Sequence, residues 1–174
     1  IIIFLISIYS NVACNNEPIG LVIKSMGKAK LNISSEVKID KKLKLNAKIF
    51  SGSNIKTKNN SFRKISFLDN RTILSIYPRT ELNIVGDVRD RIIDKNIHLI
   101  KGFVYLDIVN QFAAKFVLTT PYSKLICAEC KFWVFSNNKN GDMFHIINGS
   151  GEIITDENTV KIVPDSTFII NNID

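Results

Sequence analysis

KISFLDNRTILSIYPRTELNI, residues Lys64–Ile84, sets the grammar of the whole chain. Ile65 and Phe67 alternate with Ser66 before the turn dipeptide Asp69-Asn70. Leu74 and Ile76 follow, Pro78 ends that run, and Leu82 and Ile84 then alternate with Asn83. A period of two places successive side chains on opposite faces of a strand, while Asn, Asp, Gly and Pro cut the runs into turns.

The same pattern extends outward. Val104, Leu106 and Ile108 alternate with Tyr105 and Asp107 after Gly102, and Phe116 and Leu118 alternate up to Pro121. No window sustains apolar residues at i, i+3, i+4 and i+7. Asp87–Asn96 is the best helix candidate, with a charged loop as its alternative. IHLIKGFVYLDI (Ile97–Ile108) and FHIINGSGEIIT (Phe144–Thr155) each set a Gly behind an apolar pair and then resume a strand. That recurrence suits a twisted two-sheet jelly roll or a short β-solenoid. The expected fold class is all-β.

With 174 residues, 45% of them hydrophobic and 22% charged, the chain can bury a core of its own. The formal net charge of +7 comes from lysines and arginines scattered along the sequence rather than blocked. There is no basic helical stripe and no strand with the aromatic signature of an RNA-binding sheet, so nucleic acid is not an expected partner.

Ile1–Ile8 is apolar and too short for a membrane span of about 20 residues, but it fits the apolar centre of a secretory leader. The sequence starts without Met or a basic segment, as if cut upstream. Val12-Ala13-Cys14 is similar to a lipoprotein processing site, although Asn11 stands where Leu, Val or Ile is usual. The expectation is a leader or the end of an anchor with a short tether over residues 1–18, and a β domain over residues 19–174. Cys14 is then the candidate lipidation site, and the bulk of the chain lies in the periplasm, held at the membrane through its N-terminus.

KLICAECKFWVF (Lys124–Phe135) carries the other two cysteines. As a regular strand it places Ile126, Ala128, Cys130, Phe132 and Val134 on one face, and Leu125, Cys127, Glu129, Lys131 and Trp133 on the other. Residues three apart in a strand are about 10 Å apart and point to opposite faces. A disulfide needs Cα atoms within about 7 Å, so Cys127 and Cys130 can pair only across a bulge. Regular alternation favours one core thiol and one surface thiol. An exposed thiol in an oxidising compartment favours the bulged local disulfide instead. A zinc site needs about four donors, and beyond the cysteines only His98 and His145 are obvious, so no metal is expected.

Chemistry finds little support elsewhere. His98 and His145 alternate with apolar neighbours, as strand residues do, and no GxSxG elbow is present. Asp69, Asp142, Asp156 and Glu157 stand in contexts that read as turns. No P-loop or dinucleotide-binding glycine pattern occurs, and no cofactor or enzymatic activity is expected.

The order of these pieces resembles the FecR domain family. Its Gly-Asp-x-Ile-x-Thr element is matched by Gly52-Ser53-Asn54-Ile55-Lys56-Thr57. Its strand, Asp-Gly turn and Pro-x-Ser/Thr are matched by Lys64–Ile84, with Asp69-Asn70 and Pro78-Arg79-Thr80. Leu99–Val104 supplies the Gly-centred strand and Phe116–Pro121 the Phe-x-Val-x-Thr-Pro element. In the closing strand Ala128-Glu129-Cys130 replaces the usual Arg-Gly-Thr, which favours a regular strand and an unpaired Cys130.

The resemblance, which covers residues 19–170, implies a twisted all-β periplasmic domain. In signalling members such a domain senses an outer-membrane receptor and, through an anchor, controls a sigma factor. The function expected here is therefore protein binding at the cell envelope, with Tyr105 and Trp133, at outward parity, as candidate contacts. The alternative is an envelope glycan- or lipid-binding module, or a structural lipoprotein without a signalling role.

Overall fold

The computed structural model describes residues 17–33, 41–110, 114, 116–137 and 139–171. Cys14 and the apolar stretch before it lie outside the described residues. Among those described there is no helix, and the all-β expectation is met.

The strands in the first half are β1 (Pro18–Met26), β2 (Ala29–Ile33), β3 (Lys41–Lys42), β4 (Lys48–Phe50), β5 (Ser53–Thr57), β6 (Phe62–Phe67) and β7 (Thr72–Ile76). The second half adds β8 (Glu81–Arg89), β9 (Ile92–Ile108), β10 (Phe116–Thr119), β11 (Lys124–Asn137), β12 (Gly141–Ile154), β13 (Thr159–Lys161) and β14 (Ser166–Ile170). All belong to one hydrogen-bonded network, in which β9 and β10 run parallel and the other paired strands antiparallel.

Partners change along the three long strands. The first half of β9 pairs with β8 and β10, and its second half pairs with β7 and β11. Along β11 the partner switches from β10 to β9, and along β12 from β14 to β13. One end of the sheet thus runs β14-β12-β11-β9-β7-β6-β1-β4, and the other runs β13-β12-β11-β10-β9-β8-β5-β2-β3. The result is an open mixed sheet doubled over on itself, and the solenoid alternative is not found. The two parts face each other: a side chain at Gly86 of β8 would come within 2.8 Å of Ile19 Cδ1 on β1.

The inward side chains fuse into one core. Val22, Ile49, Ile55, Ile65, Leu74, Leu82, Leu106, Phe116, Phe132 and Phe144 all have no solvent exposure. Each such burial stabilises the fold by about 1.5–3 kcal/mol.

The recurrence seen in sequence turns out to be a bending device. Gly102 in β9 has φ 112° and Gly149 in β12 has φ 117°, a region that residues with a Cβ rarely adopt. At Gly102 the inward parity flips, from Ile93, Ile97 and Leu99 before it to Val104, Leu106 and Ile108 after it. The helix candidate Asp87–Asn96 is a hairpin: β8 and β9 pair throughout it, with Asp90 and Arg91 at φ 48° and 65° forming the turn.

Candidate docking face

The register across the outer face is built from short steps between paired strands. Lys24 of β1 stands opposite Lys64, Lys64 opposite Ser75, Ser75 opposite Tyr105, Tyr105 opposite Trp133, and Trp133 opposite His145. The two aromatics singled out from parity are therefore direct cross-strand neighbours, with ring centroids 4.8 Å apart.

They are part of a larger cluster. Phe103 stacks on Trp133 at 5.0 Å and an interplanar angle of 12°. Tyr77 reaches Phe103 at 5.1 Å and Trp133 at 5.4 Å, and Phe62 meets Tyr77 edge-on at 5.3 Å. Aromatic contacts of this kind contribute about 0.5–1.5 kcal/mol each beyond the area they bury. All five rings are half-buried, so the cluster is stiff and still presents area to the outside.

Apolar side chains continue the cluster toward both edges. Met26 lies opposite Phe62, Phe103 opposite Phe135, Phe135 opposite Met143, and Met143 opposite Ile169. Met26 is 57% exposed, Phe135 and Met143 38% each, and Ile169 67%. Six strands (β1, β6, β9, β11, β12 and β14), with Tyr77 just beyond the end of β7, thus carry one apolar row across the sheet. An exposed apolar surface of this continuity marks interaction sites far more than isolated surface hydrophobes do.

Electrostatics border this row. Lys131 pairs with Asp107 at 3.4 Å, and Lys24 Nζ lies 5.9 Å from the Phe62 ring centroid. Burial pushes the Tyr77 and Tyr105 phenols above their usual range, and the Asp107 carboxylate adds to the shift at Tyr105. Both phenols therefore stay neutral and able to hydrogen-bond at neutral pH.

The cysteines behave differently from a regular strand. Cys127 and Cys130 are joined by a disulfide with Cα atoms 6.5 Å apart, and both are buried. The register of β11 on β12 slips between Cys127 and Glu129, which leaves Ala128 as the extra residue of a bulge. Leu125 and Cys127 point inward before it, and Cys130, Phe132 and Val134 after it. Ala128 and Ile126, assigned to the inner face by uniform alternation, are exposed and half-exposed instead. The arrangement of one core thiol and one surface thiol is thereby replaced. Gly149 and Gly151 lie opposite Cys130 and Cys127, where a Cβ would strike β11. The glycine that tolerates this bulge sits on the partner strand, out of reach of a motif comparison along β11 alone.

The remaining candidates disperse. His145 is exposed, with Nδ1 3.0 Å from Thr167 Oγ1, and His98 lies in register with Asn83 and Thr119. Asp142 is not a turn residue: it is buried on β12 and accepts hydrogen bonds from Ser123 Oγ (2.7 Å) and Thr120 Oγ1, pinning the turn at Pro121. Asp69, at its turn, also reaches inward to Lys95. Among the described residues no three His, Cys, Asp or Glu side chains gather as metal donors.

No family model and no curated protein matches this sequence. Two crystal structures of a protein from Parabacteroides distasonis, provisionally designated an anti-sigma factor, share its fold, with TM-scores of 0.61 and 0.60. Identity is 14% in both, over 70% of this chain, which spans 56% and 55% of theirs. The chain thus corresponds to a little over half the length of those proteins.

Proposed function

We propose that this chain is an exported FecR-like domain that works by docking a protein partner at the cell envelope, as the sensing part of a system that controls a sigma factor. The observation that carries the reading is the apolar row centred on Trp133, spread over six strands of one sheet face. Its continuity, and the packing of its rings against one another, suit a folded partner, since little side-chain freedom is lost when such a face is covered.

Two further features support it. The elements that resemble the FecR family, far apart in sequence, meet in space: the Thr80 amide donates to Thr57 Oγ1 at 2.9 Å, and Thr57 Oγ1 donates to the Tyr77 carbonyl at 2.6 Å. The fold is shared with the two crystal structures provisionally designated as an anti-sigma factor. The Cys127–Cys130 disulfide supports an oxidising compartment such as the periplasm, with Cys14 as the point of membrane attachment. The action is binding rather than catalysis.

A sigma-dependent transcription reporter in the native host tests this. Deleting the domain should change reporter output, and Trp133→Ala should reproduce that change while the purified variant still melts cooperatively. A reporter indifferent to the deletion would sink the sigma-factor role. A reporter that responds to the deletion but not to Trp133→Ala or Tyr105→Ala would remove the face from the mechanism. Stacked rings also suit a sugar plane, so retention on envelope glycan that depends on Trp133 would favour the glycan-binding reading.

A further inference from the structure

Lysines scattered in sequence are gathered by the fold. The β1–β2 turn brings Lys28, the β5–β6 turn Lys58, the β7–β8 turn Arg79, and the bend of β9 Lys101 to one end of the molecule. With Lys56 they line a solvent-open cleft of about 580 Å³, in which Glu81 is the one acidic residue among the described residues. Glu81 is engaged by Lys56 at 2.8 Å and approached by Lys101 at 4.0 Å. A second cleft of about 290 Å³ shares Gly27, Lys28 and Lys58 and adds Lys42 and Lys44. Like charges closer than a Debye length, about 8 Å at physiological salt, repel one another and destabilise the fold.

The cations are nevertheless held on braced loops. The Lys58 amide donates to the Lys28 carbonyl at 3.0 Å, and the Arg79 amide to the Lys58 carbonyl at 3.4 Å. Ser61 Oγ lies 2.7 Å from both the Lys28 and Lys58 carbonyls. Thr80 Oγ1 ties the β7–β8 turn to the Phe103 amide and carbonyl at 3.0 and 3.1 Å. Arg79 itself has φ 59° and donates Nε to Asn59 Oδ1 at 2.9 Å. Lys28, Lys58 and Arg79 thus rise from turns whose backbones are fixed against one another, and Lys56 and Lys101 from the adjoining strands β5 and β9.

We propose that this cleft is a binding site for an anion carrying two or more phosphate groups. The lining decides the chemical class. Its remaining walls are Thr57, Asn59, Asn60, Thr80 and Gly27, with no apolar side chain to receive a peptide and no ring on which a nucleobase could stack. Cationic groups lining one cleft from four chain segments suit clustered phosphate oxygens, each bond being charge-assisted. The cleft adjoins the apolar row but shares no lining residue with it, and it needs no protein partner.

Calorimetric titration of the full chain with inorganic tripolyphosphate, and co-sedimentation with phosphatidylcholine vesicles with and without cardiolipin, test this. Saturable binding to tripolyphosphate assigns a soluble oligophosphate, and binding confined to cardiolipin vesicles assigns a lipid headgroup; both support the site. Lys28→Gln with Lys58→Gln should weaken binding by at least about tenfold, while Lys161→Gln on β13 and Trp133→Ala should leave it unchanged. Failure to bind either probe, or equal affinity in the Lys28/Lys58 variant, overturns the proposal and leaves the docking face untouched.

Discussion

Lys95 and Asp69 meet 2.5 Å apart in a place where neither side chain sees solvent. Lys95 occupies an inward position of β9, donates also to the Ile93 carbonyl at 2.9 Å, and lies 5.6 Å from the Phe67 ring centroid. Burial holds its ammonium below the usual range, against the opposing pull of the Asp69 hydrogen bond and charge. Lys95→Met alone should cost about 3–5 kcal/mol, because it strands a buried carboxylate. Lys95→Met with Asp69→Asn should recover most of that loss. Denaturant unfolding checks both; a single variant within about 1 kcal/mol of wild type would show that the pair is not closed in solution.

Gly102→Ala should destabilise the fold beyond the strain of φ 112° alone, itself about 1–3 kcal/mol. The added methyl would collide with both the side chain and the backbone of Thr80. Loss of the cooperative melt, or a fall in melting temperature far larger than that of Gly52→Ala, is the expected result. Gly52 also has positive φ, but there a Cβ meets nothing within 4 Å.

The disulfide closes a very short loop, so its entropic contribution is small. Replacing Cys127 and Cys130 by Ala should cost about 2 kcal/mol from chain entropy, and the bulge should persist, because Gly149 and Gly151 still shape it. A melt of the oxidised and double-Ala proteins reads the difference; an unfolded variant would mean that the bond, rather than the glycines, makes the bulge.

Alkaline pH should loosen the aromatic cluster. The raised pKa values of Tyr77 and Tyr105 mean that the unfolded chain gives up these protons at lower pH than the folded one. Their contribution is complete below the ordinary phenol pKa of about 10 and declines as pH rises through it. Comparing wild type with Tyr105→Phe from about pH 9 to about pH 11 isolates the effect from that of Lys95, whose sign is opposite. The wild type should lose more stability over that interval.

Trp133 is the one tryptophan of the chain, so its emission reports on the docking face directly. A partner that covers the apolar row should shift that emission to the blue, whereas tripolyphosphate in the basic cleft should leave it unmoved. Fluorescence titration distinguishes the two sites in one cuvette.

Much of this molecule was readable from alternation. Ile65, Phe67, Leu74, Ile76, Leu82, Ile84, Leu106 and Phe116 all face inward as the period of two requires. Tyr105 and Trp133 were singled out by parity, but Phe62 and Tyr77 were not, because they stand at the start of β6 and just beyond β7, nor was Phe103, which follows the parity flip at Gly102 inside β9. The β8–β9 hairpin was missed because its left-handed turn uses Asp90-Arg91 rather than the usual Asn-Gly. Lys95, an inward cation, further broke the alternation on which a strand reading depends. The β11 bulge depends on glycines in β12, and the basic cleft on residues from four separate segments. The spacing of Cys127 and Cys130 left the bulge as an alternative that the stretch itself could not decide, and the cleft leaves no mark on any local stretch of sequence.

Strands β9, β11 and β12 each serve both ends of the doubled sheet, and this makes the domain indivisible. No cut in the chain yields a piece with a complete sheet of its own, since each fragment would expose long unpaired edges of the strands it kept. Domain-boundary trimming, fragment complementation and split-reporter designs should therefore fail at any cut within β9, β11 or β12. For the same reason, a lineage can remodel this molecule by lengthening its turns but not by exchanging its halves.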